Sequence, residues 1–178
     1  MELNSLNQLV YLVSEENGTY FFTTEQGTLY QVYFTEADGY APSASFAKSL
    51  LMVGFAKVPG LETKQRSDSR IAKTILDLLY RFFLNYPEII LLFLCSDESA
   101  KHKNPDEKIK QPRFAKKRSE IFSAWFDRWQ QTEVMPIEKI DYSLYGQIYA
   151  SCLFRSGHPY ETEIRQLIER TILEKQPS

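Results

Sequence analysis

At 178 residues the chain has the size of one domain with a sizeable core, and 43% hydrophobic content excludes wholesale disorder. A net charge of −2 excludes a molecule that is basic overall, so any nucleic-acid contact would need a local patch. The longest strongly apolar run, Ile89–Cys95, is too short to cross a bilayer as a helix, and Met1-Glu2-Leu3-Asn4 lacks the basic start of a secretion signal.

These features predict a single domain over residues 1–178, a cytoplasmic location and no membrane association. Cys95 and Cys152 lie in apolar segments and are expected to be buried, reduced thiols. No Cys-x-x-Cys occurs and there are only two His, so neither a metal site nor a cofactor is expected.

In chain order, Leu9, Tyr11 and Val13 alternate and predict a short strand over Gln8–Val13. Glu15-Glu16-Asn17-Gly18 reads as a turn. Tyr20–Thr24 and Leu29–Thr35 then form the clearest hairpin, turning at Glu25-Gln26-Gly27. Ala37–Ala47 is a loop of small and polar residues. Leu51, Val53 and Phe55 alternate within a strand over Ser49–Val58, which Pro59-Gly60 ends.

Ile71, Ile75, Leu78, Leu79, Phe82 and Phe83 recur at helical spacing, with Asp68 or Ser67 available as the cap and Pro87 as the stop. Ile89–Cys95 is apolar almost throughout, so both of its faces should be covered in the middle of a sheet. A helix over about Phe114–Gln130 presents Ile121, Phe122, Trp125, Phe126 and Trp129. Glu133–Ile140, with Pro136, reads as a connection. Tyr142–Phe154 reads as one strand in which Gly146 marks a bulge or the strand start. A last helix opens near Pro159 and turns Ile164, Leu167, Ile168 and Ile172 inward.

The predicted order is β-β-β-β-α-β-α-β-α. It implies an α+β fold: a single mixed, largely antiparallel sheet of about five to six strands with three helices packed on it.

One edge of this fold carries the densest charge. Between Lys101 and Arg118 stand eight Lys or Arg, against only Asp106 and Glu107. Residues 98–113 read as a charged, mobile insertion. Lys101, Lys103, Arg113, Lys116, Lys117 and Arg118 flank a helix start, where free backbone N–H groups already favour anions. They are the candidate contacts for an anionic partner. Arg118 lies three residues before Ile121 and four before Phe122, so it is expected on the apolar face, ion-paired with Asp97 at the end of the preceding strand.

Other constellations are weaker. Asp97-Glu98 is a carboxylate pair with no third acid placed nearby. Asp68 is expected as a helix cap, with Arg70 at the surface or in an ion pair. His102 and His158 have no Ser, Cys or Asp at a diagnostic spacing. No catalytic residue is assigned.

Three segments together carry a resemblance: Tyr20-x-Phe22-Thr23-Thr24-x-x-Gly27-x-x-Tyr30-x-Val32-x-Phe34, Asp68-x-Arg70-Ile71-x-x-Thr74-Ile75, and Cys95-Ser96-Asp97 followed by Arg118-x-x-x-Phe122-x-x-Trp125-Phe126. The chain resembles a family of small uncharacterised bacterial domains, mostly from Bacteroidetes, over roughly Leu9–Ile172. That family implies no activity, and Glu98–Phe114 is longer here than its usual loop.

In element order alone the chain is similar to the GNAT acetyltransferase superfamily. Those enzymes hold the coenzyme A pyrophosphate on an R/Q-x-x-G-x-G/A loop before their first core helix. The matching stretch here, Gln65-Arg66-Ser67-Asp68-Ser69-Arg70, lacks both Gly and places an acid beside the helix start.

The functional expectation is a non-enzymatic binding or regulatory domain that meets an unknown protein or anionic partner at the 97–118 edge. The alternatives are a divergent or degenerate acyltransferase-like enzyme and, more weakly, a nucleic-acid-associated component of a defence or toxin system.

Overall fold

The computed structural model describes residues 10–60, 68–96, 113–133, 135–144 and 148–174. Among them lie β1 (Ser14–Glu16), β2 (Thr19–Thr23), β3 (Leu29–Glu36), β4 (Leu50–Lys57), α1 (Ser69–Asn85), β5 (Ile90–Ser96), α2 (Arg113–Gln130), β6 (Ile137–Leu144), β7 (Ile148–Arg155) and α3 (Glu161–Glu174). The described strands form one seven-stranded mixed sheet in the order β1-β2-β3-β4-β5-β7-β6. The fold is α+β, as the residue pattern predicts. The chain divides into two compact units, residues 1–35 with 53–87 and residues 36–52 with 88–178.

In the first unit, β1 and β2 are joined by Asn17-Gly18. Both residues have positive φ, 50° and 75°, the conformation that a two-residue hairpin turn needs. β2 and β3 pair antiparallel from Thr19↔Tyr33 to Thr23↔Leu29. Their apolar residues pack with α1, which buries Ile71, Ile75, Leu76, Leu78, Leu79 and Phe83. Phe34 stacks on Phe82 at 4.0 Å between ring centres. The helix stops at Tyr86, before Pro87.

In the second unit, β5 pairs antiparallel with β7, and β7 with β6. Alternation sends Ile90, Leu92, Ala150, Cys152 and Phe154 to one face, where they meet Ile164 and Ile168 of α3 together with Phe46 and Leu50. The opposite face meets α2, where Phe93 lies 4.3 Å from Phe122 between ring centres. β5 is buried along most of its length.

Three sequence expectations change. The alternation of residues 8–13 does not make a strand among its described members. Tyr11 is buried, Leu12 is 93% exposed, and the strand forms one step later in polar residues 14–16. The stretch read as a connection, Glu133–Ile140, supplies the first half of β6, and Tyr142–Phe154 splits between two paired strands. The described strands therefore number seven, rather than five to six. Finally, α3 begins at Glu161, so Pro159 precedes the helix instead of lying in its first turn.

Candidate functional site

The basic edge is built where β5 ends and α2 begins. The apolar face of α2 runs through Ala115, Phe122 and Phe126, with Ser119 buried beside them. That register leaves Lys116, Lys117 and Arg118 exposed. Arg118 therefore lies beside the buried face instead of on it, and Ile121 is 39% exposed for the same reason. The Arg118 guanidinium reaches the strand end, where its Nη2 donates to the Ser96 carbonyl oxygen at 2.8 Å. Lys116 makes a loose pair with Glu120 at 3.8 Å, both exposed. Such a pair contributes little. The expected partner Asp97, together with Lys101, Lys103 and the 98–112 insertion, lies outside the described residues, as does the side chain of Arg113.

A second cluster closes the start of α1. Asp68 is its cap, accepting from the Arg70 backbone N–H at 2.9 Å. The Tyr11 hydroxyl donates to the other carboxylate oxygen. Arg70 bridges Asp68 at 3.3 Å and Glu25 at 2.6 Å, and its guanidinium lies 4.6 Å from the centre of the Tyr11 ring. Glu25 sits on the tight β2–β3 loop, where the Thr24 N–H donates to the Thr28 carbonyl at 2.9 Å and Gly27 adopts φ 80°. Thr74 completes the cluster: its hydroxyl donates to the Arg70 carbonyl at 2.7 Å and accepts from the Tyr11 N–H at 2.9 Å. Burial raises the Asp68 carboxyl, but the bonds from Tyr11 and Arg70 outweigh it and hold the group below its ordinary value. An open pocket of about 540 Å³ borders this cluster, lined by Tyr11, Phe21, Phe22, Glu25 and Arg70 among others.

A third cluster joins α2 to the sheet. Lys139 on β6, with a side chain only 10% exposed, reaches Asp141 at 2.7 Å and Asp127 of α2 at 3.0 Å. Asp141 also accepts from Ser123 at 2.7 Å and from the buried Ser151 at 2.6 Å. Burial pushes the Lys139 ammonium down, yet the two carboxylates outweigh it and its pKa is raised. Asp141 is lowered in turn, with bonds from Lys139, Ser151 and Ser123 overcoming burial. An ammonium held this firmly in its charged form is a poor general base.

His158 is buried, and both of its ring nitrogens are engaged. Nε2 donates to the Glu88 carbonyl at 3.1 Å and Nδ1 accepts from the Tyr160 N–H at 3.1 Å. The ring ties the approach to β5 to the start of α3. Cys95 and Cys152 are both buried, and burial pushes the Cys152 thiol up to about 12. A thiol in that state is not a nucleophile at neutral pH.

No protein-family model matches the chain, and no curated protein matches it. The sites therefore rest on geometry alone. Among the described residues no group of three His, Cys, Asp or Glu side chains could hold a metal, and no helix is long and apolar enough to cross a membrane.

Tyr11, Glu25, Lys139, Asp141 and Ser123 were not singled out by the sequence. Their partners are remote along the chain: Tyr11 lies 57 residues from Asp68, and Glu25 lies 45 from Arg70. The one local signal was the alternation Lys139-x-Asp141, which puts both charges on the same face of a strand.

Proposed function

We propose that the chain is a non-enzymatic binding or regulatory domain that engages an acidic segment of a protein partner through the end of β5 and the start of α2. The contact between Arg118 and Ser96 supports this most directly. It sets a guanidinium at the end of a central strand, while Lys116 and Lys117 stand exposed on the same turn. Three consecutive helical residues fan through roughly 200°. A small anion would meet one or two of these cations, whereas an extended acidic chain could meet all three. By sequence, Asp97, Lys101, Lys103 and Arg113 belong to the same proposed surface.

The acyltransferase-like reading draws on element order, with a helix between β4 and β5 and another before the final hairpin. The start of α1 weighs against it. There the Asp68 carboxylate occupies the Arg70 amide and holds the Arg70 guanidinium. A pyrophosphate brought to the same place would meet a negative charge and an amide already in use.

Capture of a fluorescent polyglutamate peptide tests the proposal, comparing the wild type with Lys116→Glu combined with Lys117→Glu. Loss of capture in a variant of unchanged Tm supports the surface, and equal capture rejects it. A rise in Tm with millimolar acetyl-coenzyme A would instead favour the enzyme. Tighter capture of a single-stranded oligonucleotide than of polyglutamate would favour the nucleic-acid alternative.

A further inference from the structure

The two ends of the described sheet are built differently. β1 has three residues and offers a neighbouring chain almost nothing to pair with. β6 has eight, lies at the other end and exposes a full edge of backbone donors and acceptors among the described residues.

The register identifies which groups point outward. The Ser156 N–H donates to the Pro136 carbonyl at 3.1 Å, and the pairing continues from Ile137↔Arg155 to Leu144↔Ile148. In an antiparallel ladder, hydrogen-bonded pairs alternate with pairs that do not bond. Glu138, Ile140, Tyr142 and Leu144 therefore aim their backbone at β7. Ile137, Lys139, Asp141 and Ser143 aim theirs at the free edge.

We propose that this edge is an interface with a second copy of the chain, formed by antiparallel pairing of β6 with β6 about a two-fold axis at Ile140. Charge selects the axis. Centred on Lys139 or on Asp141, the pairing would set like charges directly opposite one another, which is unfavourable. Centred on Ile140, it places Lys139 of each copy opposite Asp141 of the other, twice over. Ile140 then meets Ile140, and Glu138 faces Tyr142. The outward backbone groups pair 137 with 143 and 139 with 141, so none is left over. An isologous contact of this kind closes after two copies and cannot propagate into a fibre. The interface is independent of the basic edge on α2.

Sedimentation of the full chain at rising concentration tests the proposal together with two variants. The wild type should pass from monomer to dimer and stop there. Ser143→Pro deletes an outward N–H and no inward one, so it should remain monomeric with an unchanged far-UV spectrum. Ile140→Cys should form an intermolecular disulfide on oxidation, because its partner across the axis lies within disulfide reach. Leu144→Cys should not. A wild type that stays monomeric at hundreds of micromolar, a Ser143→Pro variant that still dimerises, or cross-linking through residue 144 in place of 140 would each overturn it.

Discussion

The Tyr11 hydroxyl donates to the carboxylate of Asp68, and that carboxylate also caps α1. One acid thus joins the chain before β1 to the first turn of a helix far along the sequence. The same contact helps to keep that carboxylate ionised beside Arg70.

Replacing that acid should be costly in a graded way. Asp68→Ala removes a cap and leaves Arg70 with Glu25 alone, for an expected loss of about 1–2 kcal/mol. Asp68→Asn keeps a capping oxygen and should lose less. The Asp68 pKa is lowered in the fold, so its contribution is present above the unfolded value, about 4, and fades as pH falls through the lower folded value. Urea unfolding at pH 7 and at pH 3 should show the wild-type advantage over Asp68→Asn shrinking in acid. A constant advantage would refute the assignment.

The network on β6 should behave as a unit. Asp141→Ala leaves the Ser151 hydroxyl, which is fully buried, without its acceptor and leaves Lys139 with Asp127 and the Ser123 hydroxyl. Lys139→Met leaves Asp141 with two hydroxyl donors. The first change should cost about 2–3 kcal/mol and the second less. A double-mutant cycle should give a coupling of at least about 0.5 kcal/mol. Additive losses would mean that the pair does not interact in solution.

Gly54 is constrained by Tyr33. A Cβ added at Gly54 would collide with the Tyr33 ring. Gly54→Ala should therefore cost about 1–3 kcal/mol as the ring is displaced. In a Tyr33→Ala background the same substitution should be nearly neutral, as read by thermal unfolding of all four proteins. An equal cost in both backgrounds would place the strain elsewhere.

Much of this fold was legible because local signals agreed with one another. The β2–β3 hairpin has alternating aromatics around a Gly turn, and α1 has a capping Asp, a three-turn apolar stripe and a terminal Pro. β5 has an apolar run long enough for a central strand. The first half of β6 reads in the sequence as part of a connection containing Pro136. Lys139 and Asp141 are satisfied by Ser123, Asp127 and Ser151, which no local pattern brings near. The alternation around Tyr11 was misread for the converse reason. Its backbone N–H bonds to the Thr74 hydroxyl of α1 instead of a neighbouring strand. At the basic edge, the sequence identified Lys116, Lys117 and Arg118, but the register of α2 rather than their charge decided that all three are exposed.

The most direct test of the account is the affinity of the full chain for polyglutamate, measured by fluorescence anisotropy across a range of salt. The account predicts that binding by the wild type weakens steadily as salt rises, because Lys116, Lys117 and Arg118 are exposed cations that salt screens. Lys116→Glu with Lys117→Glu should abolish binding at every salt concentration while leaving Tm unchanged. Affinity that is indifferent to salt, or equal in the two proteins, would contradict it.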